Sequence, residues 1–423
     1  MASSHPHRPR AASAVAAPAV AAPAVDGRAR GRDDDRTSLD LRAAGGPTAG
    51  RSAAARYPVR FEPGVLDPAN PALARAGGPP GRRLVVVEAR VHELYGDRLG
   101  RYLAARDIAC ETLVLPVHEQ VKTMDAVFRV ADGMDAFGIS RQGGPVIAIG
   151  GGVLTDVVGL ACSLYRRSTP FVRVPTTLIG LVDAGAGARA GVAHGRHRHL
   201  LGGYRPAVDT LLDPAFLATL DRRQLGNGFA EILKVALVED ARLFDLLERH
   251  GRDLLDERFQ GPVTPAAVLG RAVRGALREL RPDRRDRPER PADYGHAFSP
   301  TVERRALPEL LHGEAVCVDM ALTTVVARRR ALLGPEQCER ILRLMRRLEL
   351  PVWHPLLEPF TLAEALADTG RRGDDRRPLP LPAGIGAAVF VEDLTVRELA
   401  DAAGWLRTWS AAARVREECA VRS

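Results

Sequence analysis

The sequence predicts an α/β fold in the first half of the chain and a mostly helical region in the second half. Residues 146–149 form a continuous apolar run, the pattern of a buried parallel strand, and residues 171–174 form a second such run. The segment VLTDVVGLACSL between them has apolar residues at helical spacing. After residue 213 the helical spacing continues through most of the remaining chain.

The chain has 423 residues, of which 46% are hydrophobic, and can therefore fill two cores. Residues 1–56 are rich in alanine, proline, arginine and serine, and they include the repeat AVAAPAVAAPAV, which cannot build a core. We therefore predict a disordered tail at 1–56, an α/β domain at 57–220 and a helical domain at 221–423. Because no cleavable hydrophobic segment follows the charged start, we expect no secretory signal.

Composition excludes several classes of protein. No stretch approaches the roughly 18 apolar residues of a membrane helix. The five cysteines are scattered without CxxC spacing, which argues against a disulfide framework or a cysteine zinc site and favours the cytoplasm. The formal charge of +8 comes largely from arginines with few aromatic residues among them, so we expect no nucleic-acid partner. A phosphorylated substrate fits the same charge.

Three consecutive glycines follow the first buried strand. Gly150, Gly151 and Gly152 permit a tight turn and leave free N–H groups at the start of the next helix, where an anion can bind. Thr176 and Thr177 end the second strand with hydroxyl groups. Two neighbouring strand ends of this kind predict a cradle for a nucleotide diphosphate, with a plain tight turn as the alternative.

Polar residues also follow two other strands of this half. Glu88 ends the strand in LVVVEARVHELYG, where its carboxylate can accept hydrogen bonds from a ribose diol or, equally well, cap the next helix. Glu119 and Lys122 lie three positions apart in the loop after ETLVLPV. By itself, that spacing usually indicates a surface ion pair.

Residues 183–206 are dense in glycine, arginine and histidine, and we predict a loop over the mouth of the site. Arg196 and Arg198 alternate with three histidines and would repel a cation, so metal binding by this segment is disfavoured. Its arginines and histidines are better suited to a substrate phosphate.

The helical half contains a carboxylate and two histidines that can bind a metal. Glu231 and Lys234 lie three apart amid apolar residues of one predicted helix, where a charge is costly unless it is used or paired. His296 and His312 each precede a helix-forming run. One carboxylate and two imidazoles can bind a catalytic zinc ion and leave positions open for substrate. Spacing alone does not establish that the three converge.

Several of these motifs together resemble the dehydroquinate synthase superfamily of sugar phosphate cyclases. They are GGGVLTDVVG, VPTTL and VDAG in the first half and NGFAEILK, DYGHAFSP and LHGEAV in the second, in the superfamily's order, and the match spans residues 82–390. The resemblance implies a Rossmann-like NAD-binding domain, a helical metal-binding domain and a homodimer. It implies Glu231, His296 and His312 as ligands of one divalent ion, zinc or cobalt.

The same resemblance assigns roles to the remaining candidate residues. The cofactor-binding residues that it implies are Glu88, Glu119, Lys122, Gly150, Gly151, Gly152, Asp156, Thr176 and Thr177. The catalytic residues that it implies are Asp183, Arg189, Arg198, His199 and Lys234.

Two positions distinguish branches of this superfamily. Dehydroquinate synthases carry a second histidine four residues after the first metal histidine and an asparagine three residues before it, where this chain has Pro300 and Asp293. With the GHxFSP signature, these changes resemble the cyclases of sedoheptulose 7-phosphate, above all the 2-epi-5-epi-valiolone synthases. That resemblance implies formation of a C7 cyclitol for natural-product biosynthesis. It also implies the reaction course, which is transient oxidation by NAD, elimination of phosphate, reduction and intramolecular aldol closure.

One loop departs from the family pattern. Where the family has lysines this chain has Arg189 and Arg198, and where it has asparagines this chain has Ala193 and His199. The two arginines keep the charge, but shape and hydrogen bonding differ. Alternatives to the cyclase are therefore a dehydroquinate synthase, an iron-type polyol dehydrogenase, and a catalytically weakened family member that acts as a binding protein.

Overall fold

The structure is a computed structural model, and the residues that it describes begin at the strand Asp40–Ala44. They are 40–44, 56–78, 81–116, 118–140, 144–185, 187, 189–195, 197–262, 264–279, 289–370 and 378–422.

A seven-stranded sheet forms the first half of the fold. Its strands are β1 (Asp40–Ala44), β2 (Arg56–Phe61), β3 (Arg83–Glu88), β4 (Cys110–Leu115), β5 (Val146–Gly150), β6 (Phe171–Pro175) and β9 (Asp209–Leu212). They lie in the order β1-β2-β9-β6-β5-β3-β4, and all neighbours are parallel except the pair β1 and β2. The chain leaves β3 for β4 on one side and returns to β5 on the other. This reversal opens a crevice at the carboxyl ends of β3 and β5.

Helices cover both faces of this sheet because its central strands are apolar on both sides. Before the second half of the chain, the helices are α1 (Ala72–Arg75), α2 (Ala89–Ala105), α3 (Met124–Phe137) and α4 (Gly152–Leu164). Val85 and Val87 of β3 pack in one core with α2, whereas Leu84 and Val86 pack in another with α3 and α4. The alternation follows from the two-residue period of a strand.

The segment predicted as a loop over the site is instead an antiparallel hairpin, so that prediction is wrong for most of its length. β7 (Arg189–His194) pairs with β8 (His197–Tyr204), as in the register Gly191 with Gly202. Ala190 and Val192 of β7 are buried in the core that contains α4. The strand was not predicted because the segment is rich in glycine. The packing of the hairpin requires glycine at 202, since a Cβ atom there would lie 2.7 Å from the Ala190 carbonyl oxygen.

The second half is helical, as predicted. Its helices are α5 (Arg222–Val238), α6 (Ala241–Asp256), α7 (Thr264–Arg278), α8 (Ser299–Ala306), α9 (His312–Arg329), α10 (Pro335–Arg347), α11 (Pro359–Gly370) and α12 (Val396–Arg422), with the strand pair β10 (Leu379–Pro382) and β11 (Ala388–Val391). The central helices α5 and α9 are buried around most of their circumference. Among the described residues, no helix has both the length and the apolar character needed to cross a bilayer.

The predicted tail at 1–56 and the domain division near residue 220 both stay predictions. β1 lies within residues 1–56, the tail predicted as disordered. Its backbone pairs with β2 at the edge of the sheet, a long-range contact that composition does not reveal. The other tail residues up to 55 lie outside the described part of the chain. In chain order, β9 is the last strand of the sheet and α5 is the first helix of the helical half. The division near residue 220 stays a prediction.

Candidate active site

The glycine turn lies where the ends of β3, β5 and β6 meet. A Cβ atom at Gly150 would lie 3.0 Å from the Cβ of Glu88, and one at Gly151 would lie 3.1 Å from Cγ2 of Thr177. The Thr176 N–H donates to the Gly150 carbonyl oxygen over 3.0 Å. Side chains at these glycines would crowd the turn. The backbone N–H groups at the start of α4 therefore stay accessible to an anion.

Glu88 lies beside the turn and is the N-cap of α2. Its carboxylate accepts the N–H groups of Arg90 over 3.1 Å and of Val91 over 3.2 Å. The capping alternative is therefore what the structure shows. A carboxylate has further lone pairs, and the ribose role stays a prediction.

Lys122 is buried and forms an ion pair with Asp156 of α4, with Nζ 2.5 Å from Oδ2. Burial raises the pKa of Asp156, while the charge of Lys122 opposes that rise. Glu119, three residues before, is half-buried in the short turn Glu119–Val121. The Lys122 carbonyl accepts the Ala193 N–H over 2.9 Å and so joins the hairpin to this edge of the cradle.

Glu231, His296 and His312 converge, which their spacing did not establish. Glu231 lies in α5, His296 in the turn before α8, and His312 is the first residue of α9. Their ligand atoms all lie within 4.8 Å of one another. Oε1 of Glu231 is 3.8 Å from Nε2 of His296 and 3.4 Å from Nε2 of His312.

These three side chains fit a metal ion by their chemistry and their partners. Both oxygens of Glu231 are buried, and their charged or ionisable neighbours are Lys234 and the two imidazoles. Nδ1 of His296 lies 3.1 Å from the Tyr294 carbonyl oxygen and Nδ1 of His312 lies 3.0 Å from Oε2 of Glu303. Donation to these acceptors leaves both Nε2 lone pairs directed at the common centre. The half-buried imidazoles leave one side of the centre open.

The charged groups around this centre shift one another's pKa values. Burial alone would raise the pKa of Glu231, but Lys234, its ion-pair partner, and the two imidazoles hold that pKa well below its usual range. Burial would lower the pKa of Lys234, and the carboxylates of Glu231 and Asp183 raise it instead. Burial and the charge of Lys234 lower the pKa of His296. Lys234 is therefore a protonated hydrogen-bond donor at neutral pH.

Asp183 lies between the glycine turn and the histidine centre, the cluster of Glu231, His296 and His312. It is exposed in the π-helical turn Gly180–Ala184, and its charge raises the pKa values of both Asp156 and Lys234. Helix α5 packs closely on the same segment, since a Cβ at Gly228 would lie 2.5 Å from the Cβ of Leu178. The two candidate sites are therefore adjacent.

Comparison with known proteins identifies the family of this chain. A family model described as 3-dehydroquinate synthase N-terminal matches residues 112–227, and one described as 3-dehydroquinate synthase C-terminal matches residues 228–370. The chain belongs to the 3-dehydroquinate synthase family. The predicted superfamily and fold class are thus confirmed.

Individual relatives show which members of the family this chain is similar to. A 2-epi-5-epi-valiolone synthase of Streptomyces hygroscopicus subsp. jinggangensis is 55% identical over 352 residues, covering 81% of this chain and 85% of the relative. A 3-dehydroquinate synthase of Methylococcus capsulatus is 32% identical over 337 residues, covering 79% and 92%. The solved structure of the Streptomyces hygroscopicus enzyme ValA, with NAD+ and Zn2+ bound, matches with a TM-score of 0.82 and 53% identity, covering 86% of this chain and 99% of that chain.

The family's predicted loop residues are only partly placed. Arg189 is exposed at the start of β7. Arg198 and His199 belong to β8, but their side chains lie outside the described part of the structure. Their catalytic roles stay predictions.

Sequence reasoning missed four buried polar residues near the family motifs. Arg173 donates to the carbonyl oxygens of Gly185 over 3.2 Å and Gly187 over 2.8 Å, which holds the segment after Asp183. Asn227 and Glu303 contact the segment that carries His312, and Asp319 contacts the segment that carries His296. Asp319 had the same signal as Glu231, an acidic residue in an apolar helical run. Glu303 had none, because VERR resembles an exposed helix.

Proposed function

We propose that this chain is a lyase that cyclises sedoheptulose 7-phosphate to 2-epi-5-epi-valiolone with loss of phosphate. The proposal depends above all on the convergence of Glu231, His296 and His312 beside the glycine cradle. It is supported by 53% identity to a synthase whose structure holds NAD+ and Zn2+. The lower identity to a dehydroquinate synthase, 32%, makes that activity the weaker candidate.

Each group that this reaction needs can be assigned to residues of the candidate site. Gly150 to Gly152, Thr176 and Thr177 would hold the dinucleotide phosphates and Glu88 its ribose, with Glu119, Lys122 and Asp156 at the edge. Glu231, His296 and His312 would hold the divalent ion. When bound, NAD+ supplies a reversible oxidation that acidifies a neighbouring C–H bond, and the ion supplies Lewis-acid polarisation of substrate oxygens.

The chain's own side chains bind and orient the substrate. Lys234 stays protonated because Glu231 and Asp183 raise its pKa, so it donates hydrogen bonds to substrate oxygens and does not act as a base at neutral pH. Asp183 is exposed and can accept a hydrogen bond or a proton from a substrate hydroxyl. Arg189 and Arg198 would bind the phosphate, which a guanidinium can hold through two hydrogen bonds.

We propose a homodimer in the cytoplasm, with an α/β domain at 57–220 and a helical domain at 221–423. Sedimentation would test the homodimer, and limited proteolysis near residue 220 would test the domain division.

Incubation of the zinc- and NAD+-loaded protein with sedoheptulose 7-phosphate tests the function. We expect release of inorganic phosphate without net NADH, and a cyclic product whose stereochemistry NMR identifies. Net NADH without phosphate would indicate a polyol dehydrogenase. Turnover only of a carboxylated sugar phosphate would indicate a dehydroquinate synthase. Substrate binding without either product would indicate a weakened member that acts as a binding protein.

A further inference from the structure

Helix α9 carries one member of the histidine centre and also contacts the segments that carry the other two. We propose that Asn227, Glu303 and Asp319 are positioning residues that hold Glu231, His312 and His296 in ligand geometry before the metal binds. This inference rests on the metal-binding role in the proposed function, and each of the three residues acts through a different contact.

Glu303 orients the ring of His312. Its side chain is 2% exposed, and Oε2 lies 3.0 Å from Nδ1 of the imidazole. When Nδ1 carries the proton and donates it to this carboxylate, Nε2 keeps its lone pair and faces Glu231. Glu303 lies in α8, which begins three residues after His296, so one short helix positions both histidines.

Asn227 fixes the distance between α5 and α9. It precedes Glu231 by four residues, about one helical turn, and its Oδ1 accepts the Gly313 N–H over 2.5 Å. A Cβ atom at Gly313 would lie only 2.0 Å from the Asn227 carbonyl oxygen. The two helices therefore meet backbone to backbone beside His312, which keeps His312 within reach of Glu231.

Asp319 holds the segment that carries His296. Its Oδ2 accepts the N–H groups of Phe298 over 2.6 Å and Ser299 over 2.9 Å, two and three residues after the histidine. On the other side, the hydroxyl of Tyr294 donates to the Met320 carbonyl oxygen over 3.2 Å. Hydrogen bonds to α9 thus hold the His296 turn at residues on both sides of the histidine.

These contacts predict a preorganised metal site. The three ligands come from separate segments, and their ordering would otherwise reduce metal affinity. Because the contacts are buried hydrogen bonds among protein groups, they order the ligands in the absence of metal. Their removal should weaken metal binding even though no ligand atom is lost.

Zinc affinity of purified variants, measured by competition with a chromogenic chelator, tests the Glu303 contact. We expect Glu303→Ala to weaken zinc binding about 10- to 100-fold, and Glu303→Gln, which keeps an acceptor but loses the charge, to show a smaller loss. Both should change the visible absorption of the Co2+-loaded protein, which reports ligand geometry. Glu364→Gln is the matched control, since Glu364 pairs with Arg304 and Arg305 of the same helix without touching His312.

A second pair of variants tests the Asn227 contact. Asn227→Ala should weaken zinc binding, whereas Gln224→Ala should not, because Gln224 accepts from Nδ2 of Asn227 and leaves the bond to Gly313 intact. If Glu303→Ala does not fold, Glu303→Gln decides the test. Wild-type zinc affinity together with an unchanged cobalt spectrum in Glu303→Gln would overturn the inference. A wild-type protein that binds no stoichiometric zinc would instead overturn the proposed function.

Discussion

Glu231 shows how a buried charge indicates a functional position. The residue is 2% exposed, and burying a carboxylate is costly without charge partners. Lys234 and two imidazoles provide those partners. These groups therefore compensate the charge of Glu231 when no metal is bound.

Replacement of His312 by alanine removes the Nε2 atom nearest to Glu231. We expect the variant to lose about stoichiometric zinc, because two protein ligands seldom retain the ion against a chelator. Elemental analysis after gel filtration measures this loss. His92→Ala, at an exposed position of α2, should keep the full zinc content. Full zinc content in His312→Ala would exclude this residue as a ligand.

Glu88→Gln separates the two roles considered for this residue. The amide oxygen can still accept a hydrogen bond from the first turn of α2, but it no longer repels a 2′-phosphate. Wild type should bind NAD more tightly than NADP in direct titrations, and the variant should discriminate less. Glu93→Gln, on the same helix and paired with Arg90, should leave the preference unchanged. Equal affinity of the wild type for both dinucleotides would contradict the ribose role.

At the scale of secondary-structure elements, the site depends on how closely α5 and α9 approach. That approach places a carboxylate from one helix beside the N-terminal histidine of the other. It also brings buried polar contacts to the helix ends, where the backbone has unpaired groups.

Gly313→Ala should push these two helices apart. The new Cβ would lie 2.0 Å from a backbone oxygen, and we expect destabilisation of about 1–3 kcal/mol or more together with weaker zinc binding. Gly404→Ala in α12 is the control, since a Cβ there meets no described atom within 4 Å. It should be neutral or stabilising by up to about 1 kcal/mol. Chemical denaturation measures both, and equal effects would refute the packing argument.

Asp319 should make the joint between α8 and α9 sensitive to pH. Burial raises its pKa to about 6 from 3.8, and hydrogen bonds from Phe298 and Ser299 only partly offset this. The folded state therefore holds the proton longer than the unfolded state, and stability should fall as pH rises through about 4 to 6.

The variant Asp319→Asn removes this titration. Its free energy of unfolding, relative to wild type, should increase by roughly 2–3 kcal/mol between about pH 4 and pH 7. Denaturation of the metal-free proteins at several pH values measures the difference. A difference that stays constant with pH would show that Asp319 does not titrate in this range.

At the scale of the whole molecule, ligand binding should report on folding. The metal ligands come from α5, α9 and the turn before α8, so a bound ion joins elements that are distant in sequence. An ion that binds only the folded state adds about 2.7 kcal/mol at a hundred times its Kd.

Zinc should therefore raise the Tm of the wild type, and a chelator should reverse the change. His312→Ala should show no comparable zinc-dependent shift. Calorimetry at matched protein concentration measures the effect. An equal zinc-dependent shift in both proteins would mean that the ion binds elsewhere.

The sequence by itself determined the features that depend on neighbouring residues. Apolar runs predicted the buried strands, three glycines predicted the turn at β5, and helical periodicity predicted the second half. The motif order predicted the family. These signals are local, because strand alternation, turn conformation and helix amphipathicity involve residues within about one or two turns of each other.

Only the tertiary structure decided which distant residues meet. It joined Lys122 to Asp156 and paired the glycine-rich segment at Arg189 as a hairpin, and it showed the convergence of Glu231, His296 and His312 that only the family resemblance had implied. Glu303 and Asn227 were missed for the same reason, and the partners of Asp319 could not be predicted although it lies in an apolar helical run. Their contacts depend on how α5, α8 and α9 pack, and the distance between two helices is set by all the side chains between them. No local pattern encodes that distance.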